Sequence, residues 1–297
     1  MGFMTGIKAN KAYRLQQKGQ KAEAMKLYEE VYAEGLDEPR YNLAYALLMI
    51  RNGEYQKAKE FLVRHQKAPG MTPDQRVTLL VDYAACCFRL GDIDKAINTL
   101  EQQARKGETG LIYQTLGYLY VEKYDAANKP EFPEEAPAEE AEAPAEEAPA
   151  EETEAPEQPE GEAPAEEAAP AEGEIPAEKE LSPREAWEAG LKKAEAFIDS
   201  SVEYDDEDPI CLDNKAQFLY RVIGDKKAAK EWFDKAIAIK DSQIDTLFFL
   251  SMYDEEAGDK QAALEKLEKA AAGRFSPLNY CSRETVEAGI ARLKGEN

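Results

Sequence analysis

The chain is 297 residues long and carries a formal charge of −23 with a single histidine. Nineteen glutamates, and no Lys, Arg or Asp, fall between positions 131 and 178, which leaves −4 for everything else. That nearly balanced remainder offers neither the basic footprint that nucleic acid requires nor a basic amphipathic membrane helix.

The first residues, MGFMTGIKANKAYRL, lack the apolar core of a signal peptide. The longest clean apolar run, 43–50, is too short to span a bilayer. Gly6 stands where a myristoylation signal needs Ser or Thr. A soluble, cytoplasmic protein without membrane insertion is expected. Cys86, Cys87, Cys211 and Cys281 form no C-x-x-C pair, and His65 is the only histidine, so free thiols and no metal or cofactor are expected.

In chain order, the pattern predicts a first helical hairpin over 5–37, with helices at 7–17 and 21–34. A second covers 39–69, its first helix apolar on several faces, and Pro69 and Gly70 stop its second. The third opens at Thr72-Pro73-Asp74-Gln75, a capping box with Pro at the first helical position. The fourth begins with Tyr113, Leu116, Gly117 and Tyr120 and is then interrupted after Asn128. Ten prolines between 130 and 176, with Phe132 and Ile175 the only large apolar residues, predict a disordered acidic segment. Structure is expected to resume at Ser182-Pro183-Arg184-Glu185, a second capping box, and its helix supplies the missing half of hairpin four. Asp208-Pro209 and Asp241-Ser242 open hairpins five and six, and 282–294 forms an amphipathic cap helix.

A recurring grammar ties these pieces together. Ala229, Phe233 and Ala236 follow A-x3-F-x2-A spacing, a small–large–small ridge on one helix face, with Gly224 just ahead of it. Related ridges follow Gly19, Gly53, Gly91 and Gly258, and Ala194, Ile198 and Ser201 supply another. The glycines are spaced 34 residues apart (19 to 53, 224 to 258), with 38 between positions 53 and 91. A period near 34 marks a helical-hairpin array.

The ridge, together with Tyr113, Leu116, Gly117 and Tyr120 at W-x2-L-G-x2-Y spacing, resembles the tetratricopeptide repeat family. Val31, His65 and Gln103 depart from the family's second small residue. The resemblance implies an all-α, right-handed α-solenoid of about six helix-turn-helix repeats, a C-terminal cap helix and a disordered acidic insertion. Repeats would occupy 1–128 and 182–297, with the insertion at 129–181.

No His-based triad, Gly-rich phosphate loop or G-x-S-x-G is present, so no enzyme is expected. The resemblance instead implies a scaffold or adaptor that binds a protein or peptide in a concave groove lined by first helices. An alternative is a sensor whose groove the acidic insertion modulates. Mapped onto this chain, the groove residues would be Tyr13, Leu47, Arg51, Phe88, Arg89, Tyr118, Asn214, Phe218, Arg221 and Phe248. Arg51, Arg89 and Arg221 are expected to be exposed anchors, because an arginine is hard to bury without partners. The partner and the oligomeric state are not encoded in these motifs.

Overall fold

The computed structural model describes residues 3–132 and 181–295. Among them are thirteen α-helices and no strand. The first three hairpins are α1 (Phe3–Gln17) with α2 (Lys21–Ala33), α3 (Pro39–Arg51) with α4 (Tyr55–His65), and α5 (Pro73–Arg89) with α6 (Ile93–Ala104). The fourth pairs α7 (Gly110–Tyr124) with α8 (Pro183–Tyr204). Then follow α9 (Pro209–Gln217), continued by a π turn (Phe218–Ile223), with α10 (Lys226–Ile239), and α11 (Ile244–Glu256) with α12 (Lys260–Ala271). Helix α13 (Arg283–Lys294) ends the array. The expected solenoid of helical hairpins is the observed fold. The acidic stretch 133–180 lies outside the described residues.

The ridges explain why the hairpins close. Ala229, Phe233 and Ala236 are all fully buried, and so are Ala24, Tyr28 and Val31 in α2 and Ala194, Ile198 and Ser201 in α8. The small residues let the first helix of the same hairpin approach, and the large one fills the space between successive hairpins. The two helices of hairpins one, two, three, five and six pack together, and first helices also pack on first helices: α1 on α3, α3 on α5, α5 on α7 and α7 on α9. That second set of contacts produces a continuous face made of odd-numbered helices.

Both expected capping boxes form. Thr72 Oγ1 accepts from Gln75 N while Gln75 Oε1 accepts from Thr72 N, at 3.2 and 3.0 Å. Ser182 and Glu185 repeat the exchange at 3.3 and 2.8 Å. Apart from α7, each first helix then ends on a glycine in the left-handed region, Gly53 at φ 78° and Gly224 at φ 84° among them. There the residue after the glycine bonds back to the helix: Glu54 N to Met49 O, Asp92 N to Cys87 O and Asp259 N to Asp254 O, five residues in each case. In hairpin five the bond runs six residues back, from Asp225 N to Leu219 O. The first helix of that hairpin carries one extra residue, and the π turn absorbs it.

The contacts divide the chain into two units, Met1–Lys129 with Ala189–Asn297, and Pro130–Glu188. Within the first, α8 closes hairpin four through aromatic contacts. Tyr113 meets Phe197 and Tyr204 with centroids 5.2 and 4.8 Å apart, and Tyr120 meets Phe197 at 5.4 Å. Within the second, the Arg184 guanidinium lies 5.7 Å above the Phe132 ring. No helix among the described residues is long and apolar enough to cross a membrane.

Candidate functional site: the face of the first helices

The face of α5, α7, α9 and α11 carries a recess of about 560 Å³. Its wall includes Val81, Asp82, Leu111, Tyr118 and Ile210, and the 272–282 connection closes one side. That connection joins α12 to α13 and is eleven residues long, where α8–α9 and α10–α11 are joined by four. On its other side lies a second recess of about 740 Å³, bordered by Ile50, Arg51, Tyr55 and Arg89 from the second and third hairpins.

A single carboxylate holds the connection in place. Asp245, near the start of α11, accepts from Asn279 Nδ2 at 2.9 Å, Tyr280 N at 3.1 Å and Cys281 N at 3.2 Å. The Cys281 thiol donates to the same carboxylate at 3.2 Å. Tyr280 stacks on Phe249 at 5.1 Å, and the Arg221 guanidinium sits 4.0 Å from the Tyr280 centroid. From α7, the Tyr118 hydroxyl donates to Asn279 O at 3.3 Å. The face is thus partly covered by the chain itself.

The electrostatics are uneven. Burial pushes the Asp82 carboxyl up to about 7, against the pull of Arg51. Burial and the neighbouring Asp245 charge push the Asp213 carboxyl up to about 7 as well, although Thr246 Oγ1 and Gln217 Nε2 donate to it at 2.5 and 2.7 Å. Burial raises the Cys86 and Cys211 thiols to about 12, which makes them poor nucleophiles. Among the described residues no group of His, Cys, Asp and Glu is arranged to hold a metal ion. The arrangement is suited to hydrogen bonding and ion recognition.

The residues proposed from sequence fall into five pairs. Arg51 is half-buried and Arg89 exposed, and both line the larger recess. Phe88 is half-buried with its ring edge-on to Tyr118 at 5.7 Å, and Phe248 is half-buried 6.1 Å from Tyr280. Tyr118 and Asn214 are buried but polar atoms of both serve the face, Asn214 Nδ2 donating to Gln114 O at 2.8 Å. Tyr13 lies apart under Arg40, 4.5 Å away, and Leu47 is half-buried on α3; neither borders the two recesses.

Phe218 and Arg221 require correction. Phe218 is wholly buried in the core. Arg221 is not an exposed anchor: its side chain is 6% exposed and pairs with Glu122 at 2.7 Å and Asp125 at 2.8 Å. These two acids, half-hidden beside it on and just after α7, are the partners that make its burial affordable. Sequence reasoning also passed over Asp82, Asp245 and Arg274. The unusual length of 272–282, with Pro277 inside it, was a signal for the segment that carries Arg274 and for neither aspartate.

A family model described as anaphase-promoting complex, cyclosome, subunit 3 matches residues 17–103, from the end of α1 through α6. No curated protein matches. Among solved structures, a thermophilic TPR protein of Thermus thermophilus superposes with TM-score 0.53 and 14% identity over 86% of this chain and 99% of its own. PilW, a type IV pilus biogenesis factor, gives 0.53 and 13% over 94% and 98%. The human IFIT1 dimer with m7Gppp-AAAA gives 0.53 and 14% over 96% of this chain and 53% of IFIT1. At such identities the likeness is one of fold. With its repeating ridge, its glycine-closed hairpins and these matches, the chain has the fold of tetratricopeptide-repeat proteins.

Proposed function

We propose that the protein is a non-catalytic interaction scaffold that holds an extended peptide along the face of its first helices. The observation that carries this reading is the 560 Å³ recess, whose wall combines apolar side chains with hydrogen-bonding groups drawn from four successive first helices. A recess of this size matches the pockets that enclose small ligands or a few side chains. Leu111, 37% exposed, and half-buried Ile210 supply apolar contact there, with Asp82 and Gln114 beside them. An extended peptide offers both apolar side chains and free backbone N–H and C=O groups, which is the complement of such a wall.

Panning a random peptide display library against the full chain tests this. Selected peptides should lose binding when Leu111 is changed to Glu, a substitution at an exposed position that leaves the hairpin core intact. Failure to enrich any sequence, or enrichment indifferent to Leu111→Glu, would overturn the reading.

A further inference from the structure

The larger recess gathers basic side chains on a strongly acidic chain. Lys21, Arg51, Arg89, Arg274 and Arg283 border its 740 Å³, with Glu284 the one acid among them. Arg283 is already committed, donating to Ala271 O at 2.6 Å and Gly273 O at 2.9 Å and lying 4.7 Å over Phe275. The other three guanidiniums are not. Among the described residues Arg51 and Arg274 make no hydrogen bond or ion pair, and Arg89 has only the Tyr55 ring, 5.8 Å away. By contrast Arg221 is held by three acceptors, and Arg283 and Arg292 by two each.

This spacing of like charges has a cost that a ligand can remove. Burial and the neighbouring Arg274 both act against the charged form of Arg51. Asp82, the acid that favours the charged form of Arg51, has its own carboxyl pushed up to about 7 by burial and so offsets these effects only in part. Two guanidiniums pressed together without a counter-ion repel each other, and the repulsion becomes attraction when a dense anion enters between them. A carboxylate has two oxygens, which one guanidinium fork occupies. A phosphate group has three terminal oxygens and up to two charges, and it accepts from more than one fork at once.

We propose that this recess binds a phosphate group, carried by a phosphorylated side chain of a peptide partner, with Arg51, Arg89 and Arg274 as its donors. Tyr55 and Phe275, both half-buried, border the recess and can flank the side chain that carries the phosphate. The peptide source rests on the groove reading above, since the two recesses flank the same 272–282 connection. The phosphate itself rests only on the three uncommitted arginines.

The test follows the arginine Nε–H resonances of the full chain in 1H–15N spectra. The probes are a Gly/Ala-flanked phosphoserine heptapeptide, its unphosphorylated twin, inorganic phosphate and ATP. The phosphopeptide should shift and saturate the Arg51, Arg89 and Arg274 signals and leave Arg221 unmoved. The twin should move none of them, and inorganic phosphate should move the same three with weaker affinity. Arg274→Gln should weaken phosphopeptide binding at least tenfold with an unchanged melting temperature. Equal shifts from the twin, no shift from any phosphate probe, or an unaffected Arg274→Gln variant would overturn the site. Tighter binding of ATP than of the phosphopeptide would overturn the peptide source. Library peptides blocked by Leu111→Glu, alongside silent arginines, would leave the groove reading standing and sink this one alone.

Discussion

Gly190 on α8 sits where any added Cβ would clash with the Tyr124 hydroxyl and come 2.9 Å from its ring carbon Cζ on α7. The two helices that complete hairpin four are separated by more than fifty residues of sequence, yet the Tyr124 side chain of one lies against Gly190 of the other and must shift to admit a Cβ. Gly190→Ala should therefore destabilise the protein by about 1–2 kcal/mol, overpacking outweighing the roughly 1 kcal/mol gained in helix propensity. Adding Tyr124→Phe, which removes the nearest atom, should recover part of the loss. Urea unfolding of both single variants and the double variant measures that coupling, and strict additivity would contradict the contact.

Arg221 is a structural cation. Replacing it with Ala leaves Glu122 and Asp125, 17% and 16% exposed, without their shared partner. A loss of about 3 kcal/mol is expected. The same readout with Arg89→Ala, an exposed side chain whose one described contact is the Tyr55 ring, should show a change below about 0.5 kcal/mol.

Asp245→Ala should free the 272–282 connection. Three N–H donors and a thiol lose one acceptor, at a cost of about 2–4 kcal/mol if the segment stays buried. Hydrogen exchange at Tyr280 and Cys281 should accelerate more than at α12. Unchanged exchange there would mean that the carboxylate does not hold the segment.

Stability should fall as pH rises through neutrality. Asp213 has a folded value of about 7 against an ordinary 3.8, raised by burial and by Asp245, and Arg221, Thr246 and Gln217 only partly offset this. Between these values the folded state holds the proton and the unfolded state does not. The contribution is complete below about pH 4 and is lost as pH passes 7, at no more than about 1.4 kcal/mol per pH unit. Asp213→Asn should flatten this fall in urea midpoints measured from about pH 4.5 to 8.5. Asp82, raised to about 7 in the same sense, leaves a residual slope.

The array was legible in the sequence because its signals are local and repeated. The Ala229–Phe233–Ala236 ridge and the glycine ahead of it need only helix geometry to be understood, and the second capping box at Ser182 announces where the repeat resumes. The π turn was not legible: one extra residue before Gly224 changes no hydrophobic pattern and shows only in the closing hydrogen bond of Asp225. Arg221 was misjudged because its partners, Glu122 and Asp125, lie about a hundred positions away, and no spacing rule reaches that far. The role of Arg274 depends on the path of a connection with no periodicity, which tertiary contacts through Asp245 decide.

Under the proposed function, ligands are met on the first-helix face. Hydrogen-exchange mass spectrometry of the full chain, with and without a library-selected peptide, tests it most directly. Protection is predicted at Val81–Asp82, at Leu111–Tyr118 and at Ile210–Gln217. Protection confined to the second helices, around Ala58–Leu62 or Ala263–Leu267, with the first-helix face unchanged, would contradict it.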